Sequence, residues 1–202
     1  MSGTAVALGA QNVYPEKEGA FTGETGIRML LDLSCRYVIV GHSERRRLLG
    51  EDEAFINRKV RAVLAAGMEV IACVGETLEQ RQKGQTRAVL ESQLAGALAG
   101  LTTEQVRHLV VAYEPIWAIG TGVNATPEQA QEVAAGIREL VRQRFGEGSA
   151  RALRILDGGS IKAASAATKA LTPQPSRMVA SSCFPNWASM SSGTRPACTS
   201  AK

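Results

Sequence analysis

The sequence predicts an α/β protein built on a parallel sheet. Short runs of apolar, often β-branched residues alternate five times with longer stretches whose apolar residues recur at helical spacing. Each run also gives way to a polar residue, in chain order Asn12, His42, Glu76, Glu114 and Ser160. Such alternation forms a parallel sheet that is either doubly wound or closed as a barrel. In a barrel, the carboxyl ends of the strands converge on one mouth.

The elements follow in order. Val6 to Asn12 reads as the first strand, and Tyr14 to Gly26 as a glycine-rich loop centred on Phe21, Thr22 and Gly23. Ile27, Leu30 and Leu31 share a helical face. Tyr37–Gly41 is the second strand, with His42, Ser43, Glu44, Arg45 and Arg46 at its end. A helix is predicted over 54–66, with Ile56, Val60, Val63 and Leu64 as its stripe and Gly67 closing it. Val70–Glu76 reads as the third strand, and Leu90, Leu94, Ala97, Leu98 and Leu101 as an amphipathic stretch.

The fourth strand, Leu109 to Tyr113, is apolar throughout, which suits burial on both faces. Glu114 stands where it stops, and Pro115 forbids further pairing. Ile116, Trp117, Ala118 and Ile119 then lead into Gly120, Thr121 and Gly122, an apolar lid with a flexible heel. Thr126 as N-cap, Pro127 in the first turn and Gln129 three residues after the cap predict the next helix, whose spacing holds to Phe145. Leu153 to Leu156 is the fifth strand, ending in Gly158, Gly159 and Ser160.

Composition excludes several classes. The chain of 202 residues has no run of 18 apolar residues, and its start lacks the features of a signal peptide, so no membrane association is expected. The net charge of +4 does not describe a nucleic-acid surface. Residues 161–202 hold five basic residues and no acid, which leaves the first 160 at −1. Four cysteines without paired spacing predict reduced thiols and a cytoplasmic protein. Cys35 and Cys73 are read as core thiols, with no metal-binding pattern. No glycine-rich nucleotide fingerprint follows a strand. His108 lies at the start of a strand, away from the mouth, and is read as structural. Glu76 and Arg45 are read as ion-pair residues supporting the site.

Five segments together resemble the triosephosphate isomerase family: Gly9–Tyr14, Ala20–Glu24, Val40–Arg46, Cys73–Thr77 and Ala112–Gly122. The resemblance runs in order from residue 5 to about residue 162. It implies an incomplete (β/α)8 barrel of five or six of the eight βα units. The implied reaction interconverts dihydroxyacetone phosphate and glyceraldehyde 3-phosphate through an enediolate, in glycolysis and gluconeogenesis. It implies Glu114 as general base and His42 as electrophile, supported by Ser43, Glu44 and Cys73. Gly120, Gly159 and Ser160 would bind substrate phosphate, and Pro115 to Gly122 would form the lid. Phe21, Thr22 and Gly23 would be the loop tip inserted into a second subunit of a homodimer. No metal or other cofactor is implied.

The sequence departs from the family pattern in three places. Two βα units that carry a substrate-binding Asn and Lys precede the matched region in the family and have no counterpart here. Asp157 stands where the family has Tyr before Gly-Gly-Ser. The Gly-Gly pair of the family's last strand is not found. Residues 163–202 hold eight Ser, four Pro, two Cys and no acid, with no helical or alternating period. The expected organisation is a partial barrel over 1–162 and a divergent tail over 163–202, disordered or read out of frame. On these departures the chain by itself is expected to turn over substrate poorly. The alternative reading is an inactive barrel fragment or a non-catalytic interaction module.

Overall fold

The computed structural model describes residues 6–119, 121 and 124–158. The expectations for Gly120, Gly122, Gly159, Ser160 and the tail lie outside the described residues.

Among the described residues, five strands form one parallel sheet: β1 (Gly9–Ala10), β2 (Tyr37–Val40), β3 (Glu69–Val74), β4 (Leu109–Tyr113) and β5 (Arg154–Asp157). Each strand pairs with the one before it, in the order β1-β2-β3-β4-β5. That order decides between the two topologies left open by the alternation. A doubly wound sheet reverses its strand order at a switch point, whereas a barrel adds strands in one direction. The described sheet never reverses.

Among the described residues, seven helices accompany the strands: α1 (Ile27–Asp32), α2 (Ser43–Leu49), α3 (Glu53–Ala65), α4 (Leu78–Gln82), α5 (Thr86–Ala97), α6 (Thr103–Val106) and α7 (Pro127–Ala152). The strand residues divide with period two. Val38, Val40, Val70, Ala72, Val74, Leu109, Val111, Tyr113 and Ile155 join the helices in the larger core. Tyr37, Ile71, Cys73, Val110 and Ala112 form a second buried cluster with Ile39 and Leu156 on the other sheet face. All five residues of β4 are buried, as its unbroken apolar run requires.

Local chemistry sets the helix ends. Asp52 caps α3 by accepting from Phe55 N at 2.8 Å, and Gly67, at φ +76°, lets the chain turn away after Ala66. At α7, Thr126 and Gln129 form the reciprocal capping box over Pro127. The helical spacing that stops at Phe145 has a physical counterpart. Gly146 breaks the helix at φ 83°, ψ 170°, and a further turn follows to Ala152.

Four strand expectations need correction. Only Gly9 and Ala10 pair in the segment 6–12, while Val6 and Leu8 are 67% and 40% exposed. β1 has a single neighbour in the described sheet, so residues beyond the pairing have no second strand against them. The third strand stops at Val74 instead of Glu76 because the Gly75 peptide turns to a side chain, as described below. The fifth strand is Arg154–Asp157, one residue later than expected. The second strand stops at Val40 instead of Gly41, and Ser43 to Arg46, placed at its end, open the helix Ser43–Leu49.

Candidate functional site

Glu114 is the first residue past β4. Its N–H still donates to Val74 O at 2.8 Å, so its backbone is fixed as an extension of the β3–β4 ladder. On the other side Gly158 N donates to Tyr113 O at 2.7 Å. Two glycines therefore flank it, at the ends of β3 and β5, and each leaves space that Glu114 occupies. A Cβ on Gly75 would lie 1.8 Å from Glu114 O, and one on Gly158 would lie 3.3 Å from Glu114 Cγ.

The Glu114 carboxylate is 4% exposed and doubly held. Oε1 is 2.9 Å from His42 Nε2, and Oε2 accepts from Ser43 N at 3.0 Å. Both partners stand where β2 passes into α2. Gly41, at φ +70°, turns the chain out of the strand, and His42 is the N-cap residue of α2. Its Nδ1 accepts from Glu44 N at 3.3 Å, which assigns the ring proton to Nε2, facing Glu114. The hydrogen bond to Glu114 raises the His42 pKa above its ordinary value, against the opposing effect of burial. The backbone donor at Nδ1 opposes protonation there, because an imidazolium would set one donor against another. Glu44 contributes that N–H and a negative charge in the first turn of α2.

Cys73 is buried at the end of β3 beside this pair. Burial and the neighbouring Glu114 charge push its thiol pKa well up, so it stays neutral and packs without acting as a nucleophile. Arg46 is a residue that sequence reading passed over. Its Nε donates to Gly41 O at 2.7 Å and its Nη2 to Cys73 O at 3.3 Å, while Nη1 pairs with Glu53. One guanidinium thus ties the ends of β2 and β3 to the start of α3. A planar fork can do this and an ammonium cannot.

Glu76, fully buried, anchors the segment after Glu114. Its Oε1 accepts from Tyr113 OH at 3.0 Å, Trp117 Nε1 at 3.0 Å and Arg81 Nη1 at 2.9 Å. The Arg81 guanidinium also lies 4.7 Å over the Trp117 ring. Burial pushes the Tyr113 hydroxyl pKa up, so it remains a donor. Pro115 leads into a short 3-10 turn, Ile116–Ala118, with Ala118 buried and Ile119 39% exposed. Thr121 Oγ1 donates back to Trp117 O at 3.2 Å. Asp157 closes β5 in register with Tyr113.

Asn12 does not reach this group. It belongs to a second polar cluster that the sequence reading missed. Lys59 Nζ, wholly buried, donates to Asn12 Oδ1 at 2.7 Å and Glu51 Oε1 at 2.5 Å. Arg45 Nε also donates to Glu51 Oε1 at 2.6 Å, and Asn12 Nδ2 donates to Glu24 at 3.2 Å. The available signal was a lysine inside the apolar stripe of α3, between Ile56 and Val60. The expected ion-pair residues are both engaged, Glu76 with Arg81 and Arg45 with Glu51. Phe21 is 39% exposed and stacks on Tyr14 at 4.2 Å between ring centroids; Thr22 and Gly23 are exposed beside it. Among the described residues no group of His, Cys, Asp and Glu has a metal-holding arrangement, and no helix is long and apolar enough to cross a membrane.

A one-directional parallel β/α sheet with an imidazole and a carboxylate converging at its carboxyl ends is the arrangement of a (β/α)8 barrel, here an incomplete one. Comparison with known proteins narrows the class. The family model for triosephosphate isomerase matches residues 1–176. The triosephosphate isomerase of Carboxydothermus hydrogenoformans is 54% identical over 162 residues, 80% of this chain and 64% of that protein. The corresponding protein of Chloroherpeton thalassium is 52% identical over 163 residues, 81% of this chain and 65% of its own length. That of Syntrophotalea carbinolica is 54% identical over 157 residues, 78% and 62% of the two chains. This chain belongs to the triosephosphate isomerase family, and it spans somewhat under two thirds of the length of these curated relatives.

Proposed function

We propose that this chain carries the proton-transfer residues of a triose-phosphate isomerase, interconverting dihydroxyacetone phosphate and glyceraldehyde 3-phosphate. The observation that supports it is the 2.9 Å contact between His42 Nε2 and Glu114 Oε1 at the ends of β2 and β4. A carboxylate removes the proton beside the substrate carbonyl and returns it to the neighbouring carbon. Burial of Glu114 keeps bulk water from competing with substrate for the carboxylate. The proton on His42 Nε2 then faces the oxygen on which enediolate charge develops. Without substrate the same proton is donated to Glu114, so substrate must take over His42 and release the base. Ser43 N holds the second carboxylate oxygen in that resting position, and Cys73 fills the floor.

The segment Pro115–Gly122 acts as the lid that excludes water, with Trp117 fastened to Glu76 at its root. Gly120, Gly159 and Ser160 are proposed as phosphate donors. The Phe21–Thr22–Gly23 tip, exposed on its Tyr14 support, is proposed as the contact of a homodimer. The buried, unpaired thiols of Cys35 and Cys73 accord with a cytoplasmic protein. Nothing observed favours the non-catalytic module.

The test grafts residues 6–158 into the Carboxydothermus hydrogenoformans relative in place of the matching segment and measures isomerisation in a coupled assay. The graft is expected to be active, and Glu114→Gln in it to lose about 100- to 10,000-fold in turnover. Glu114→Asp should lower kcat far more than it raises KM. A Glu114→Gln graft with turnover within tenfold of its parent would refute the assignment.

A further inference from the structure

We propose that Gln93, on α5, is a positioning residue for Glu114 and acts through the peptide of Gly75. This rests on the reading of Glu114 as the base. The β3–β4 ladder ends with Glu114 N donating to Val74 O at 2.8 Å. The residue that follows β3, Gly75, turns both of its peptide groups away from β4. Its N–H donates to Gln93 Oε1 at 2.8 Å, and its carbonyl accepts from Gln93 Nε2 at 3.1 Å. A primary amide offers a donor and an acceptor side by side and so replaces the strand that a peptide would otherwise pair with. A carboxylate lacks the donor, and a thioether lacks both. Asparagine has the group but is one methylene shorter.

With its peptide groups turned to Gln93, Gly75 presents its Cα to β4. The closeness of that contact is measured by the 1.8 Å between an ideal Cβ and Glu114 O. Gly75 is therefore the surface on which the Glu114 backbone rests, and Gln93 sets its height. The reference frame is stiff, since Leu90, Leu94 and Ala97 of α5 are buried around Gln93. The residue after Gly75 is Glu76, which holds Tyr113 and Trp117 on either side of Glu114. Displacing Gly75 thus shifts both the floor under Glu114 and the anchor of its flanks. The 2.9 Å contact to His42 and the 3.0 Å bond from Ser43 depend on both.

The experiment follows imidazole C–H resonances of the full chain through a pH titration. The chain has two histidines, so His108 serves as an internal control. Among the described residues, Glu114 and Glu44 are the charges that raise His42. In the unsubstituted chain His42 should titrate above its ordinary 6.5. Gln93→Met, of similar volume, and Gln93→Asn, which keeps the amide and loses the reach, should each bring the His42 midpoint down toward that value and leave His108 unmoved. Glu114→Gln marks the full loss of the pair. An unchanged His42 midpoint in both Gln93 variants, with a fall in Glu114→Gln, would overturn the role of Gln93 and leave the His42–Glu114 pair standing. No change in Glu114→Gln would overturn the pair itself and the inference with it. Unfolding of both Gln93 variants would make Gln93 a structural residue and overturn the proposal.

Discussion

Gly75→Ala is the most demanding test of the site's geometry. The added Cβ would stand 1.8 Å from the Glu114 carbonyl oxygen and 2.7 Å from its carbonyl carbon, both backbone atoms. Ordinary contact begins at 3.4 Å, so the two chains must part by about 1.6 Å at the end of a ladder held by a 2.8 Å hydrogen bond. No flexible side chain can absorb this. Overpacking of a rigid position costs about 1–3 kcal/mol, occasionally more. For a chain of this size that corresponds to a fall in Tm of about 2–12 °C. The effect on chemistry should be larger, because a displacement of about 1 Å costs roughly 100-fold in a reaction that depends on placement. In the active graft, the assay compares Gly75→Ala with Gly158→Ala, whose Cβ would meet the movable Glu114 Cγ and the Tyr113 carbonyl oxygen, each at 3.3 Å. Gly158→Ala should remain within about tenfold of its parent, since a shift of a few tenths of an ångström is far below the 1 Å that is costly. A Gly75→Ala protein as active as Gly158→Ala would refute the argument that this contact places Glu114.

Two further predictions follow from buried charge. Lys59→Met should destabilise the fold by about 1–3 kcal/mol in chemical denaturation, because Glu51 loses its buried ammonium partner and keeps Arg45, and Lys59→Met with Glu51→Leu should recover part of it; equal stability of the two variants would refute this. The raised His42 pKa makes its contact with Glu114 a stabilising term that is present below 6.5 and is lost as pH rises through the folded value. The Tm advantage of the parent over His42→Gln should therefore shrink as pH is raised across that range, and a constant difference would exclude the linkage.

Much of this was legible in the residues. The apolar run of β4, the acid and proline that end it, and the Thr126 capping box each have one local reading, and each appears at its expected place. The Gly146 break was visible as the end of helical spacing at Phe145. What the sequence hid was non-local. β1 is short because pairing depends on neighbours, which periodicity does not report. α2 was missed because Ser43–Leu49 has three consecutive arginines and no apolar stripe, while its N-cap is a histidine instead of one of the usual small polar residues. Arg46, Gln93 and Lys59 look like surface residues by type. Their roles arise from backbone carbonyls and carboxylates that lie far from them in the chain. The candidate base and imidazole were legible through motif resemblance, whereas the clamps around them required coordinates.

The sequential strand order also bears on how the chain acquires its site during synthesis. Neighbouring strands pair across separations of about 30 to 45 residues, so each βα unit can dock on the one before it as it emerges. The imidazole is laid down with the second strand and the carboxylate only with the fourth; Ser43 and Glu114 stand 71 residues apart. A nascent sheet of three strands therefore already has a core but holds its histidine without the Glu114 carboxylate. The His42–Glu114 contact thus arrives late, after most of the packing, and the docking of the fourth strand is the step that completes it.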